Sequence, residues 1–94
     1  MSICYLNGNF VELSKASISP LDRGFLFGDS VYEVFAAYEK NLFRLDDHME
    51  RLKKNLESLS INIALENSEI KSILQKVCEK NPEENQIIYL QISR

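Results

Sequence analysis

Tryptophan is absent from the 94 residues, histidine occurs once, and no apolar run is long. A membrane-spanning helix needs roughly twenty consecutive apolar residues, so none is predicted. The first residues lack the charged and apolar regions of a secretory signal peptide. Basic residues are scattered and the formal net charge is −3, which argues against a nucleic acid or an anionic membrane as the main partner. These absences predict a cytoplasmic protein with neither kind of partner.

Residues that bind metals or form disulfides are also scarce. His48 has no second histidine and no Cys/His spacing around it, so no metal site is expected. A lone histidine on an apolar helix face is more often a core residue than a ligand or a base. Cys4 and Cys78 lie in unlike contexts, one in a predicted strand and one in a predicted helix. We therefore expect two reduced core cysteines and no disulfide.

The residues that are present indicate one folded domain, with 45% hydrophobic and 27% charged residues. Asn7-Gly8 predicts a tight turn between strands at residues 3–6 and 10–13. The β-branched and aromatic run at residues 31–38 predicts a strand, and residues 42–45 can return as its partner. A last strand is predicted at residues 86–93. It ends next to Arg94 without a following element, which we interpret as a sign of truncation because an exposed edge strand is a liability.

Between the strands the apolar period changes from two to about three and a half. One apolar stripe from Leu45 to Leu59 predicts an amphipathic helix, with Asp46 and Asp47 at its positive end. A second helix is predicted from about Asn67 to the residue before Asn81-Pro82. Residues 61 and 63 suggest a short extended exit between the two. The predicted fold is α+β, a mainly antiparallel sheet with two helices packed on one face.

Residues 18–34 are the stretch where we expect the chemistry. Pro20 opens it, and Gly24 and Gly28 bracket an apolar plug at residues 25–27 that leads by a turn into a strand. The glycine spacing does not match a phosphate-binding loop or a dinucleotide fingerprint. Asp22 and Arg23 are expected to fix this loop with hydrogen bonds.

Arg51 lies on the border of the apolar helix stripe, beside His48. A border arginine can extend from the core and present its guanidinium to an anion in a cleft. The alternative is a surface ion pair with Asp47, four residues earlier. The residue pattern by itself favours that surface pair.

Tyr32 and Glu33 are adjacent in the predicted strand, so they point to opposite faces. Tyr32 can place its hydroxyl over a pocket, or it can be a tyrosine that packs across the strands. Glu33 interrupts an apolar run, so it either reaches solvent or is paired, because an unpaired buried carboxylate is costly. From the residues alone, the reaction class stays open.

Two motifs carry a family resemblance. L-D-R-G-F-L-F-G-D-S-V-Y-E-V, followed by L-F-R-L-D-D-H-M-E-R-L, resembles the N-terminal domain of class IV pyridoxal-phosphate-dependent aminotransferases, and of the D-amino-acid enzymes in particular. The resemblance covers almost the whole chain, so residues 1–94 are expected to be that domain. It implies pyridoxal 5'-phosphate as cofactor, held through its phosphate by Arg51, and a substrate pocket lined by Tyr32. It also implies amino-acid and 2-oxo-acid substrates and a homodimer, with Glu33 and His48 as motif positions whose role is structural or supports the pocket.

The family's reactive lysine, which forms a Schiff base with the cofactor, belongs to a larger C-terminal domain. No lysine of this chain lies in a matching sequence context, so no catalytic residue is expected in residues 1–94 and the lysine is expected beyond residue 94. The resemblance therefore implies that the chain alone is an inactive, truncated piece of the enzyme.

Three substrate classes compete within the family. V-Y-E-V, with Val34, favours amino transfer between a D-amino acid and a 2-oxo acid. Branched-chain L-amino-acid aminotransferases have a sequence similar to V-F-E-G here, and aminodeoxychorismate lyase shares F-G-D and the arginine of H-x-x-R-L. A hypothesis of another class is a standalone binding or assembly module without catalysis.

Overall fold

The computed structural model describes residues 2–94, and it opens with the predicted hairpin. Strands β1 (Ile3–Leu6) and β2 (Asn9–Glu12) pair antiparallel, with Leu6 opposite Asn9. Asn7 and Gly8 form the two-residue turn with φ of 47° and 97°, and these are the residue types that adopt left-handed backbone most easily. The hairpin prediction is confirmed, with the second strand one residue earlier than expected.

A separate three-stranded antiparallel sheet holds β3 (Ser30–Tyr38) between β4 (Asn41–Leu42) and β5 (Gln86–Ser93). Both long strands match their predicted positions. The predicted return strand at 42–45 is wrong beyond Leu42, because Arg44 turns into the left-handed region (φ 51°) and a helix begins at the next residue. β4 pairs only with Ala37 and Tyr38.

The two long helices are α2 (Leu45–Ser58) and α3 (Asn67–Lys80), as the apolar periodicity predicts. Asp46 and Asp47 lie in the first turn of α2, where carboxylates favour the positive end of the helix dipole. Residues 61–66 link the helices without forming a strand in the described structure, and Ile61 is buried there.

A third, short helix, α1 (Arg23–Phe27), occupies the stretch that we predicted to be a loop around an apolar plug. That prediction is wrong, because Phe25 and Phe27 are 72% and 68% exposed. The helix forms because the Asp22 carboxylate accepts the Gly24 N–H at 2.8 Å, and it ends because Gly28 takes φ 64°.

Hydrogen bonds fix α1 to the end of the sheet, as predicted for Asp22 and Arg23. Arg23 donates to Asp29 at 3.0 Å, and Arg94 donates to the same carboxylate oxygen at 2.7 Å. The hydrogen bonds from Arg94 and Arg23 hold the pKa of Asp29 below its usual value of 3.8. α1, β3 and the last residue of the chain are thereby joined at one point.

The hydrophobic core lies between the sheet and the two long helices, so α2 and α3 cover one face as predicted. Alternate residues of β3 point toward them. The buried apolar residues are Val31, Phe35, Ala37, Met49, Leu52, Leu56, Ile61, Ile70, Leu74, Cys78 and Ile88. Cys78 is buried and Cys4 is half-buried, and both thiols are free.

The opposite face of the sheet is exposed although it is apolar. It carries Tyr32, Val34 and Tyr38 from β3, and Ile87 and Tyr89 from β5. The rings of Tyr32 and Tyr89 stack with centroids 5.6 Å apart. No helix within residues 2–94 is both long and apolar enough to cross a membrane.

Replacing Gly24 with alanine should destabilise the contact between α1 and β5. A Cβ at this position would lie 2.5 Å from Ser93 Oγ and 2.7 Å from Gln91 Nε2. The ends of these two flexible side chains must move aside, and alanine is favoured over glycine within a helix, so we expect a net loss of less than about 1 kcal/mol in the free energy of unfolding, measured by urea denaturation. The same replacement in a Ser93→Ala background should cost less. Equal losses in both backgrounds would contradict the steric explanation.

Candidate functional site

Glu33 is the centre of a cluster between β3 and α2. Its side chain is 2% exposed and points to the helix-covered face of β3. One oxygen lies 2.8 Å from His48 Nδ1, the other accepts from Arg51 Nε at 3.0 Å, and Arg51 Nη2 gives a further short contact. The hydrogen bond from Arg51, followed by that from His48, lowers the pKa of Glu33 from 4.5 to about 2 against the cost of burial. Glu33 is therefore an ionised, fully paired carboxylate.

Arg51 bridges this buried carboxylate and solvent. Its side chain is 64% exposed although two of its nitrogens contact Glu33. The pairing with Glu33 raises the pKa of Arg51. The surface pair with Asp47 that the residue pattern favoured is wrong, because Asp47 accepts from Arg44 at 2.9 Å instead.

His48 is the partly buried core histidine that the sequence predicted. Its ring packs edge-on against Phe35 with centroids 5.2 Å apart. Because an ionised carboxylate can only accept, Nδ1 is the donor in the contact with Glu33. The cluster is thus anchored to the hydrophobic core at one end and open to solvent at Arg51.

Tyr32 and Arg51 line the same shallow depression of about 330 Å³, together with Glu33, Val34 and Asn55. β4 covers only the last two residues of β3, so the edge of β3 beside Tyr32 is unpaired within residues 2–94. Residues from both faces of the strand can therefore border one depression. The structure brings together the two residues that the family resemblance singled out.

Sequence reasoning missed three features of this site. Asn55 lies one helical turn after Arg51, on the same side of α2, and i,i+4 spacing was the available signal. Tyr89 supports Tyr32 by stacking, and no local pattern in the sequence connects these two residues. The contact between Glu33 and Arg51 was also missed, although the need for a partner of Glu33 was recognised.

A larger cleft of about 650 Å³ lies elsewhere, between β1, α3 and β5. Its lining is mostly apolar and includes none of Tyr32, Glu33 and Arg51. Within residues 2–94, no three or more His, Cys, Asp or Glu side chains are grouped so that they could hold a metal ion. The charged side chains that converge at one point are those around Glu33. We therefore take the smaller depression, which Glu33 lines, as the candidate site.

The family follows from a comparison with known proteins. The profile of the class IV amino-transferases matches residues 30–94, a range that holds the whole cluster around Glu33. The chain belongs to the class IV aminotransferase family.

Individual relatives give a more specific comparison than the family profile. The chain is 38% identical over 88 residues to D-alanine aminotransferase from Bacillus licheniformis, covering 94% of this chain and 31% of that protein. It is 33% identical over its full length to D-alanine aminotransferase from Staphylococcus aureus strain MSSA476, covering 33% of that protein. The chain thus spans about a third of the length of these relatives.

Solved structures show the same fold. The branched-chain amino acid aminotransferase of T.th., complexed with N-(5'-phosphopyridoxyl)-L-glutamate, superposes with a TM-score of 0.88 at 26% identity, over 96% of this chain and 31% of that one. A branched-chain amino acid aminotransferase from Escherichia coli gives a TM-score of 0.85 at 24% identity, over 93% of this chain and 31% of that one. The α+β fold prediction is confirmed.

Proposed function

We propose that this chain is the N-terminal part of a pyridoxal-phosphate-dependent aminotransferase that moves an amino group between a D-amino acid and a 2-oxo acid. The observation that carries the proposal is the position of Arg51. Its guanidinium is fixed at the edge of the depression that Tyr32 also lines. The D-alanine aminotransferases among the relatives support the choice of a D-amino acid.

The hydrogen-bond donors of Arg51 at the depression suit a phosphate monoester as ligand. A guanidinium has five N–H donors in a rigid fork. Nε and Nη2 contact Glu33, and the side chain is exposed, so donors on its other side can reach a ligand. Arginine is suited to bind phosphate oxygens in pairs. In this proposal Arg51 holds the cofactor phosphate and Asn55, on the same helix face, can add an amide donor. The bound cofactor supplies the electron sink for the reaction.

Tyr32 is the proposed substrate-pocket residue. Its ring is held by stacking on Tyr89, and its side chain is exposed on the face of the sheet that no helix covers. A phenolic hydroxyl can donate a hydrogen bond to a substrate carboxylate. The proposed role of Tyr32 is to orient the substrate beside the cofactor, while Arg51 holds the phosphate end.

The chain alone is proposed to be inactive. The depression has no lysine among the described residues that line it. Lys71, for example, contacts Asp46 and Lys40 donates to the Asn81 carbonyl at 2.7 Å. The reactive lysine would come from polypeptide beyond residue 94, in a second domain that a protein of the relatives' length can hold. A cytoplasmic location is part of the same proposal.

The exposed apolar sheet face supports packing against further protein. Tyr38, Ile87 and Tyr89 lie on it, and Phe25 and Phe27 of α1 are also exposed. Large exposed apolar patches commonly mark interaction surfaces. We propose that this surface contacts the rest of the enzyme and that the enzyme is a homodimer. A standalone module would instead be monodisperse and would not bind the dye ANS.

A branched-chain L-amino-acid substrate is the second candidate, because the T.th. branched-chain enzyme superposes over nearly the whole chain. Val34, which lines the depression, favours the D-amino-acid enzyme instead. Cofactor adducts that carry different amino acids can distinguish these two candidate substrate classes.

Titration of the chain with pyridoxal 5'-phosphate, followed by nuclear magnetic resonance, tests the phosphate site. Arg51→Gln should weaken binding at least about tenfold because a charged phosphate partner is lost. Arg44→Gln is the matched control, since Arg44 is equally exposed and lies at the start of α2. Equal affinity of the Arg51 variant and the wild type would contradict the proposal.

The adducts N-(5'-phosphopyridoxyl)-D-alanine and N-(5'-phosphopyridoxyl)-L-leucine test the substrate class in the same titration. We expect the D-alanine adduct to bind more tightly, and we expect Tyr32→Phe to reduce its advantage over pyridoxal 5'-phosphate. A preference for the L-leucine adduct would favour the branched-chain candidate.

A further inference from the structure

Glu33 is the one charged residue that is buried among residues 2–94. Burying a carboxylate is costly unless it is paired and hydrogen-bonded. Its neighbours on the same face of β3 are Val31 and Phe35, so an apolar side chain could pack at this position without that cost. The presence of a carboxylate therefore needs an explanation beyond packing.

The Glu33 carboxylate holds the Arg51 guanidinium at two points. Nε donates to one carboxylate oxygen at 3.0 Å and Nη2 contacts the other. Two parallel contacts fix the plane of the guanidinium as well as its position. An exposed arginine without such a partner would sample many rotamers and would lose that freedom on binding a ligand.

The carboxylate itself is held in place by the core. His48 Nδ1 lies 2.8 Å from one of its oxygens, and the His48 ring packs against Phe35, which is fully buried. The contacts therefore run from the core, through His48 and Glu33, to Arg51 at the depression. Arg44 has no such connection, because its partner Asp47 is itself exposed.

We propose that Glu33 is a positioning residue that holds Arg51 so that its remaining Nη donors face a phosphate monoester in the depression. This inference rests on the proposed phosphate-binding role of Arg51. The positioning role of Glu33 and its electrostatic effect predict opposite changes in phosphate affinity when Glu33 is replaced. A negative charge beside Arg51 repels an anionic ligand, so net charge alone would make Glu33→Gln bind phosphate more tightly. If Glu33 positions Arg51, Glu33→Gln must instead bind phosphate more weakly than the wild type.

Titration of the full chain with inorganic phosphate and with pyridoxal 5'-phosphate, monitored at the ¹⁵N-labelled backbone amides around Arg51 and, where Arg51 is present, at its Nε–H, tests this difference in sign. We expect Glu33→Gln to bind both ligands about tenfold more weakly, the size expected for losing a well-placed charged donor. Glu33→Asp keeps the charge but shortens the side chain, so it should also weaken binding. In an Arg51→Lys background, Glu33→Gln should not weaken binding and should tighten it slightly, because without the guanidinium only the electrostatic effect of Glu33 remains.

The outcomes separate the two proposals. If Arg51→Gln binds phosphate as well as the wild type, the phosphate role of Arg51 fails and the positioning role fails with it. If Arg51→Gln binds weakly but both Glu33 variants bind like the wild type or more tightly, only the positioning role is overturned.

A measurement on the unmodified chain covers the case in which the Glu33 variants do not fold. Arg51 and Arg44 are both 64% exposed, but their carboxylate partners are 2% and 65% exposed. Relaxation of the two Nε–H groups should show Arg51 to be the more rigid of the two. Equal mobility of Arg51 and Arg44 would overturn the inference without any substitution.

Discussion

Replacing Phe35 with alanine is expected to lower the free energy of unfolding by about 3–5 kcal/mol. Phe35 is completely buried at the centre of β3, opposite Ile88 of β5, and its ring packs against His48. The substitution leaves a cavity that the sheet and the helices can fill only in part. Because a domain of this size is stable by only about 5–15 kcal/mol, urea denaturation should show a large shift of the midpoint.

The matched control for Phe35→Ala is Ile87→Ala in the same sheet. Ile87 is 79% exposed and lies on the opposite face, so its truncation should change the free energy of unfolding by less than about 0.5 kcal/mol. Similar losses for the two variants would mean that the helices do not cover the face of β3 that carries Phe35. The Phe35 variant should also loosen the cluster at Glu33, because His48 loses its packing partner.

The second large effect is a loss of stability in acid that comes from Glu33. Its pKa is about 2 in the folded protein and 4.5 ordinarily, so folding favours the ionised form. The stabilisation is fully present above a pH of about 4.5 and is lost as the pH falls toward about 2. Since the carboxylate is buried but its partner Arg51 is exposed, we expect it to amount to about 2 kcal/mol.

Glu33→Gln is the control that isolates this contribution. Asp29 also has a lowered pKa and contributes in a similar acid range, so the wild type alone cannot assign the effect. The difference in the free energy of unfolding between the wild type and Glu33→Gln should shrink by about 2 kcal/mol from neutral pH to a pH of about 2. A difference that is constant over this range would show that the Glu33 carboxylate is not preferentially ionised in the folded protein.

Local residue patterns were sufficient to predict most of the elements. The Asn7-Gly8 turn, the long strands at residues 31–38 and 86–93, and both long helices are confirmed. Each of these depends on neighbours in sequence: a two-residue turn, a period of two, or a period near 3.6. The short helix α1 was missed because five residues are too few to show a helical period. Its formation depends on the Asp22 cap and on the contact of Gly24 with the end of β5.

The candidate site shows where local reasoning was insufficient. Asp47 is four residues from Arg51, which made it the favoured partner from sequence, whereas Glu33 is 18 residues away and belongs to a strand. Only the packing of α2 on the sheet places the Glu33 carboxylate beside the guanidinium. A buried carboxylate competes better for an arginine than an exposed one, because it has lost its water and needs charged donors.

The sequence by itself therefore determined the class of fold, the helices and strands that build it and, through two motifs, the family. The same motifs singled out Arg51 and Tyr32 as predicted site residues. The tertiary structure decided what these residues contact. It joined Arg51 to Glu33 and His48, stacked Tyr32 on Tyr89, and left one apolar sheet face exposed. The physical reason is that propensity and periodicity act over a few residues, whereas desolvation, ion pairing and ring stacking depend on which distant segments the core brings together.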